Sequence, residues 1–141
     1  MLKPLGEPPP HSEKGVGWEF ENLLYFFGGY SYHTSVSRSH DYSSEDDPDR
    51  GGFWHNCLTC LDPQTNKWSR PITIGLSPNS RAGASAARLG CKVYIFGGRS
   101  QAGRLNDLHC LDLTSMTWSV VFECTFPDPW AVPSSSLPYP R

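Results

Sequence analysis

The sequence has little of what marks a membrane, nucleic-acid-binding or secreted protein. No apolar run approaches the ~18 residues that a membrane-spanning helix needs, and the N-terminus lacks the basic start and apolar stretch of a signal peptide. The net charge is −2 with no basic stripe, which argues against nucleic acid as a partner. The five cysteines are odd in number and lack framework spacing, as in a reducing compartment. We therefore expect a soluble intracellular protein, in the cytoplasm, the nucleus or both, that binds neither nucleic acid nor a membrane.

The sequence also lacks helical periodicity. No segment repeats apolar residues every three to four positions between helix caps. Short apolar runs rich in aromatic and β-branched residues occur instead, separated by glycine or polar turns. Many of the thirteen prolines gather at the two ends, in KPLGEPPP and FPDPWAVPSSSLPYP. These features predict an all-β protein with an irregular N-terminal tail at 1–19 and a Pro/Ser-rich C-terminal tail at 123–141.

Two blocks of sequence recur in the same order along the chain. In the first block an apolar run ends at a glycine pair, Gly28 and Gly29 in LLYFFGGYSY and Gly97 and Gly98 in KVYIFGGRSQ. In the second block, CLTCLDPQTNKWS and DLHCLDLTSMTWS match at six of thirteen positions. Chance does not readily explain why both blocks recur in the same order. Their recurrence predicts a repeat architecture of antiparallel meanders.

The two copies differ in the length of one segment. The glycine block recurs after 69 residues and the tryptophan block, with Trp68 and Trp118, after 50, so the first copy is 19 residues longer between them. We place this extra length in an acidic loop insertion at 30–54, since surface loops tolerate added residues at low cost. The chain then divides into a first repeat at 20–76, which carries the insertion, and a second repeat at 77–122.

The recurring pattern resembles the kelch repeat, a unit of about 50 residues that forms one blade of a β-propeller. The residues that carry the resemblance are strand aromatics, the glycine pairs, an aspartate and a tryptophan in each copy, with one arginine: Tyr25, Phe27, Gly28, Gly29, Asp62, Trp68, Arg81, Tyr94, Phe96, Gly97, Gly98, Asp112 and Trp118. The resemblance implies an all-β, partial kelch-type propeller of about two four-stranded blades. It also implies a protein-binding module and not an enzyme.

The second repeat resembles one group of kelch proteins in particular. YIFGGRSQAGRLNDLHCLDL, with TWS after it, looks like the small kelch-domain-containing proteins, several of which are substrate receptors of cullin-RING ubiquitin ligases. That likeness implies binding of substrate C-termini, with basic residues at the propeller mouth that grip the terminal carboxylate. The matching residues are Arg99 and Arg104, in a short glycine-containing loop. Arginine suits the role because its planar, permanently charged guanidinium can bond both carboxylate oxygens.

Two other interpretations of function stay open. The chain has fewer than two complete repeats, whereas repeat proteins ordinarily need about three before stacked neighbours bury enough surface. One alternative is therefore a truncated, non-functional isoform, and the other is a general kelch scaffold that uses its loops for protein contacts. No C-terminal box that would dock a receptor to its cullin adaptor is recognisable, so that adaptor is a partner implied by the likeness alone.

Other motifs favour structural roles. Cys57 and Cys60 have the spacing of a zinc or redox pair, but residues three apart in a strand point to opposite faces. Cys60 also aligns with Cys110 of the second repeat, as a packed structural cysteine would. The acidic insertion lacks the alternating carboxylates and central glycine of a calcium loop. No activated nucleophile or phosphate-binding loop is recognisable, so we predict no metal, no cofactor and no enzyme activity.

Overall fold

The chain folds entirely as β-structure in the part that a computed structural model describes, residues 5–32 and 52–123. The strands are β1 (Leu5–Gly6), β2 (Ser12–Glu13), β3 (Val16–Phe20), β4 (Leu23–Tyr32), β5 (Gly52–Asp62), β6 (Lys67–Ser69), β7 (Ser85–Leu89), β8 (Lys92–Ser100), β9 (Gly103–Asp112) and β10 (Thr117–Phe122). The described residues contain no helix that could span a membrane. The all-β prediction is confirmed.

The strands form two sheets of the same design. In the first, β4 pairs antiparallel with β2 and β3 on one side and with β5 on the other, and β6 follows β5. In the second, β7, β8, β9 and β10 form an antiparallel meander. We call β1–β6 blade 1 and β7–β10 blade 2. Two such blades are what a partial kelch-type propeller requires, and that fold prediction is confirmed.

The glycine pairs lie inside β4 and β8, although the apolar runs of the sequence end at these glycines. Gly28 and Gly29 have φ of 73° and 128°, and Gly97 and Gly98 have φ of 67° and 105°. The strand register shifts at each pair, which marks a β-bulge. Glycine adopts these left-handed conformations without steric cost, and β4 and β8 therefore continue beyond the bulge.

The hydrophobic core lies between the two blades. Phe27 of β4 is 1% exposed, and its ring centroid lies 5.4 Å from that of Trp118 at the start of β10. Val93 and Ile95 of β8 are buried in the same core. The neighbouring Phe26 points to the opposite face of blade 1 and is 37% exposed. Among residues 5–32 and 52–123, each blade thus buries one of its two faces against the other blade.

The N-terminal segment differs from the irregular tail predicted at 1–19. β2 and β3 pair along β4 and supply the inner strand of blade 1, as β7 does for blade 2. β1 pairs in parallel with β6, and Ile74 makes the same parallel bridge to β10 at Thr117. β1 and β2 lie in a polar, proline-rich segment and are held by their pairing with β6 and β4. In β3, Val16, Trp18 and Phe20 alternate with exposed residues and pack against the core.

Two predicted segments lie mostly outside the described residues. The insertion at 30–54 is described only at its ends, where 30–32 complete β4 and 52–54 begin β5. Of the C-terminal tail at 123–141, only Glu123 is described.

Replacing Phe27 with alanine tests the packing between the blades. We expect a loss of about 3–5 kcal/mol in the free energy of unfolding, because a large buried side chain leaves a cavity. Urea denaturation followed by circular dichroism measures it. Ile72→Ala is the matched control, since Ile72 is 88% exposed, and it should change stability by less than about 0.5 kcal/mol. Similar losses for both variants would contradict the assigned core.

Candidate functional site

The two arginines singled out by the sequence lie opposite each other on paired strands. Arg99 of β8 and Arg104 of β9 are direct cross-strand partners, and only Gln101 and Ala102 connect the two strands. The structure therefore places both arginines in strands next to a two-residue turn, and not in the short glycine-containing loop that the sequence predicted.

Backbone hydrogen bonds determine how close the two arginine side chains lie. The Arg99 N–H donates to the Ala82 carbonyl at 2.9 Å, and the Arg99 carbonyl accepts from the Ala82 N–H at 3.0 Å. Since both backbone groups of Arg99 point toward Ala82, Arg99 and Arg104 form a non-hydrogen-bonded cross-strand pair. Cβ atoms in such a pair lie about 4.5–5.5 Å apart. The two guanidinium groups can therefore reach one small ligand together.

Both arginine side chains are exposed, and across 5–32 and 52–123 neither guanidinium has a hydrogen-bond or ion-pair partner. Like charges placed directly opposite each other on a sheet are destabilising. An anion bound between Arg99 and Arg104 would remove that repulsion and gain charge-assisted hydrogen bonds. The arrangement suits a carboxylate or a similar small anion.

The equivalent positions of blade 1 hold an aromatic pair. Tyr30 of β4 and Trp54 of β5 are cross-strand partners, as Arg99 and Arg104 are in blade 2. Their ring centroids lie 4.9 Å apart in an edge arrangement, and Tyr32 packs edge-on against Tyr30 at 5.3 Å. Blade 1 therefore presents aromatic surface where blade 2 presents positive charge.

One short connecting segment brings these two pairs together. The Arg81 carbonyl accepts from the Gly29 N–H at 2.7 Å, while the next residue, Ala82, bonds Arg99. Gly29 precedes Tyr30, so the aromatic pair and the arginine pair are tied to consecutive residues of one segment. They therefore lie at the same end of adjacent blades. We call the surface formed by Tyr30, Trp54, Arg99 and Arg104 the tip surface.

The side chain of Arg81 lies beneath the tip surface, 1% exposed. It forms a bidentate ion pair with Asp107, with Nη1 to Oδ1 at 2.7 Å and Nη2 to Oδ2 at 2.9 Å. Nη1 also donates to the Gly97 carbonyl at 3.0 Å, and Asp107 Oδ2 lies 2.9 Å from His109 Nε2. Because its charge is neutralised inside the protein, Arg81 is a positioning residue that holds the bulge next to Arg99.

Two opposing effects act on the pKa of the Asp107 carboxyl group. Burial raises its pKa, since a charged group loses solvation. The hydrogen bonds from Arg81 and His109 and their charge interactions act the other way and outweigh burial. The pKa of Asp107 is therefore held well below its ordinary value of 3.8, and the carboxylate stays charged in the folded protein at neutral pH.

Sequence reasoning missed the buried ion pair and the aromatic half of the tip surface. The aromatic half could have been found from the repeat offsets. The 69-residue offset aligns Tyr30 with Arg99, and the 50-residue offset aligns Trp54 with Arg104. Nothing local marks Asp107 as the partner of Arg81, which lies 26 residues earlier in the chain. Only the register of β8 and β9 reveals that contact.

The remaining candidate residues have packing positions. Trp68 and Trp118 lie in the last strand of each blade, and Trp118 is buried. Cys60 and Cys110 are buried at equivalent places in β5 and β9. Within the described part of the chain, no group of three or more His, Cys, Asp or Glu side chains could hold a metal ion.

Comparisons with known proteins point to the same repeat. The KLHDC2/KLHL20/DRC7 Kelch-repeats domain matches residues 1–131. The chain is 41% identical over 120 residues to Kelch domain-containing protein 1 of Mus musculus, covering 81% of this chain and 29% of that protein. It is 37% identical over 118 residues to Kelch domain-containing protein 2 of Bos taurus, with the same coverage of 81% and 29%. With Kelch domain-containing protein 3 of Bos taurus the identity is 43% over 76 residues, 52% of this chain and 19% of that protein. The chain thus spans less than a third of the length of these relatives.

Replacing Asp107 with asparagine tests the buried ion pair. The change leaves the Arg81 charge buried without a partner, so we expect a loss of about 3–5 kcal/mol in unfolding free energy at neutral pH. Because the folded pKa of Asp107 is depressed, its stabilisation is present above the ordinary pKa of 3.8 and is lost progressively as the pH falls from there toward the folded pKa. The difference in unfolding free energy between wild type and Asp107→Asn, measured by urea denaturation, should therefore become smaller as the pH is lowered from about 5 to about 2.

Asp112→Asn is the matched control for this experiment. Asp112 accepts hydrogen bonds from the exposed turn at Thr114 and Ser115 and has no arginine partner among the described residues. We expect it to cost no more than about 1.5 kcal/mol. If the difference in unfolding free energy between wild type and Asp107→Asn does not change with pH, the assigned ion pair is contradicted.

Proposed function

The chain belongs to the KLHDC2/KLHL20/DRC7 kelch-repeats family, whose domains are protein-interaction modules, and we propose that it binds peptide C-termini through Arg99 and Arg104. The observation that carries the proposal is the direct cross-strand pairing of these two arginines at an exposed blade end. In this proposal the module is non-catalytic, and the terminal carboxylate of a partner protein is its ligand.

The charge and geometry of the arginine pair support a carboxylate as the ligand. A terminal carboxylate has two oxygens in one plane, and a guanidinium can donate to both in parallel. A second guanidinium opposite the first approaches the same oxygens from the other strand. A hydrogen bond to a charged group contributes about 1.5–3 kcal/mol net, so the pair supplies enough energy to distinguish an acid from an amide.

The aromatic half of the tip surface supports a peptide as the rest of the ligand. Tyr30 and Trp54 offer large, rigid contact area next to the arginines. Aromatic residues of this kind contribute strongly to protein-binding interfaces. We propose that the carboxylate lies over blade 2 while a side chain that precedes it packs over blade 1.

We extend the proposal to a substrate-receptor role in a cullin-RING ubiquitin ligase, in the cytoplasm or nucleus, with the cullin adaptor as a second partner. The support is the likeness of YIFGGRSQAGRLNDLHCLDL to receptors that recognise C-termini, together with the two exposed arginines. A general kelch scaffold would differ in a measurable way, because it would not distinguish a free C-terminus from an amidated one.

The test uses peptides with random C-terminal residues, displayed either as free acids or as amides. We expect selective capture of free acids, and fluorescence polarisation on the best binder should show a loss of about 10- to 150-fold when Arg99 or Arg104 is replaced with alanine. Binding of the matching amide should be weak and insensitive to either change. Equal capture of acids and amides would overturn the proposal.

Lys92→Ala is the matched control, since it removes one exposed positive charge at the opposite end of β8. It should leave the affinity for the free acid nearly unchanged. A loss as large as that of Arg99→Ala would mean that net charge, and not the tip surface, attracts the peptide.

A further inference from the structure

A carboxylate lies among the aromatic rings at the blade 1 side of the tip surface. Glu13 of β2 and Trp54 of β5 are the cross-strand neighbours of Tyr30 on its two sides in the sheet. The Tyr32 hydroxyl donates to Glu13 Oε2 at 2.5 Å, and the Tyr32 ring packs edge-on against Tyr30. We call Glu13, Tyr30, Tyr32 and Trp54 the aromatic–acid cluster.

The Glu13 carboxylate has the charge that a cationic ligand requires. Glu13 is exposed, and no lysine, arginine or histidine within 5–32 and 52–123 forms an ion pair with it. One of its oxygens accepts from the Tyr32 hydroxyl, which holds the carboxylate beside the rings. Because a carboxylate accepts through two oxygens, an ammonium or guanidinium group can donate to Glu13 while the Tyr32 contact is kept.

The rings of the cluster suit the same kind of ligand. Tyr30 meets Trp54 at an interplanar angle of 68° and Tyr32 at 84°. An edge-on contact, unlike stacking, covers at most one face of a ring, so these contacts leave a π-face on Tyr32 and on Trp54. The π-face of an aromatic ring is electron-rich and attracts a lysine or arginine side chain within about 6 Å of the ring centroid. The cluster therefore combines two features that favour a basic side chain.

The blade 2 side of the tip surface carries the opposite charge. The 69-residue offset aligns Glu13 with Ala82 and Tyr30 with Arg99. Ala82 lies beside Arg99 in the structure, just as Glu13 lies beside Tyr30. The same position is thus an acid in blade 1 and a small neutral residue in blade 2. A ligand that spans both blades meets negative charge on one and positive charge on the other.

We infer that the aromatic–acid cluster binds a basic side chain, lysine or arginine, that precedes the C-terminal carboxylate of the ligand. This inference rests on the proposed binding of that carboxylate by Arg99 and Arg104, and it names the class of peptide that the site takes. Glu13 repels an acidic side chain at the same place, whereas an aliphatic one packs on the rings without a charge interaction. Charge complementarity along the tip surface therefore sets the direction of the peptide as well as its class.

The first experiment measures binding of short glycine–serine peptides to the full 141-residue chain by fluorescence polarisation. Each peptide has a free C-terminal carboxylate and carries a single Lys, Arg, norleucine or Glu, whose position is moved stepwise along the peptide. We expect Lys and Arg to bind about 5- to 30-fold more tightly than norleucine at one or two neighbouring positions, and Glu to bind most weakly. No preference for Lys and Arg at any position would overturn the inference. An equal preference at every position would also overturn it, because general attraction to a protein of net charge −2 would then be the cause.

Glu13→Gln tests the charge of the cluster. The amide oxygen can still accept from the Tyr32 hydroxyl, so the change removes the charge and keeps the contact. We expect the ratio of the affinities for the Lys and norleucine peptides to fall by about 2- to 5-fold. Glu21→Gln is the matched control, since Glu21 is an exposed acid in the turn between β3 and β4, at the other end of β4 from Tyr30. An equal fall in Glu21→Gln would assign the preference to net charge and overturn the inference.

Two changes at Tyr32 separate the ring from the hydroxyl. Tyr32→Phe keeps the ring and removes the donor to Glu13, whereas Tyr32→Leu removes both. We expect the ratio of the affinities for the Lys and norleucine peptides to fall further in Tyr32→Leu than in Tyr32→Phe, by about 2- to 5-fold. Tyr32 is 50% exposed, so both variants should keep the cooperative thermal melt of the wild type in circular dichroism. Equal ratios in the two variants would contradict the contact between the ring and the cation.

Amidated forms of the same peptides separate this inference from the proposed function. If free acids bind more tightly than amides while Lys, Arg and norleucine bind equally, carboxylate binding stands and the basic side chain is wrong. If Lys and Arg are preferred while acids and amides bind equally, the cluster binds a cation and carboxylate binding is wrong. Loss of both preferences would overturn both proposals.

Discussion

The ion pair between Arg81 and Asp107 is the contact on which the described arrangement of the two blades depends. The backbone of Arg81 bonds Gly29 and His55 of blade 1, while its side chain bonds Asp107 and the Gly97 carbonyl of blade 2. One residue therefore joins both sheets at the end where the tip surface lies. Because the pair is buried, removal of either partner leaves an uncompensated charge and destabilises the folded protein.

The glycine bulges connect this junction to the candidate site. A Cβ atom on Gly28 would lie 2.8 Å from the Arg81 carbonyl oxygen, so only glycine lets the connecting segment approach β4 this closely. The strands continue beyond each bulge and carry Tyr30 on blade 1 and Arg99 on blade 2 to the same end. The local requirement for glycine and the placement of the proposed ligand-binding residues thus have one physical origin.

Sequence and structure agree where the signal is local. Apolar runs, glycine pairs and tryptophans recur in order, so β4, β5, β8 and β9 and the family were accessible without coordinates. The first part of the inner strand of blade 1 was not accessible, because β2 lies in a proline-rich, polar segment and is defined by its pairing with β4 over two residues. Ser12 stands where blade 2 has Arg81, so the feature that marks the junction in one repeat is missing from the other.

Strand propensity and glycine conformation act over a few neighbouring residues. The β-class, the two repeats and the two arginines beside a glycine turn could therefore be predicted from the sequence alone. Three relations required the coordinates: Arg99 lies opposite Arg104, Tyr30 and Trp54 lie at the same blade end as these arginines, and Arg81 reaches Asp107. These relations depend on strand register after a bulge and on the packing of one blade against the next. Both are set by contacts between residues far apart in the chain, which no short stretch of sequence encodes.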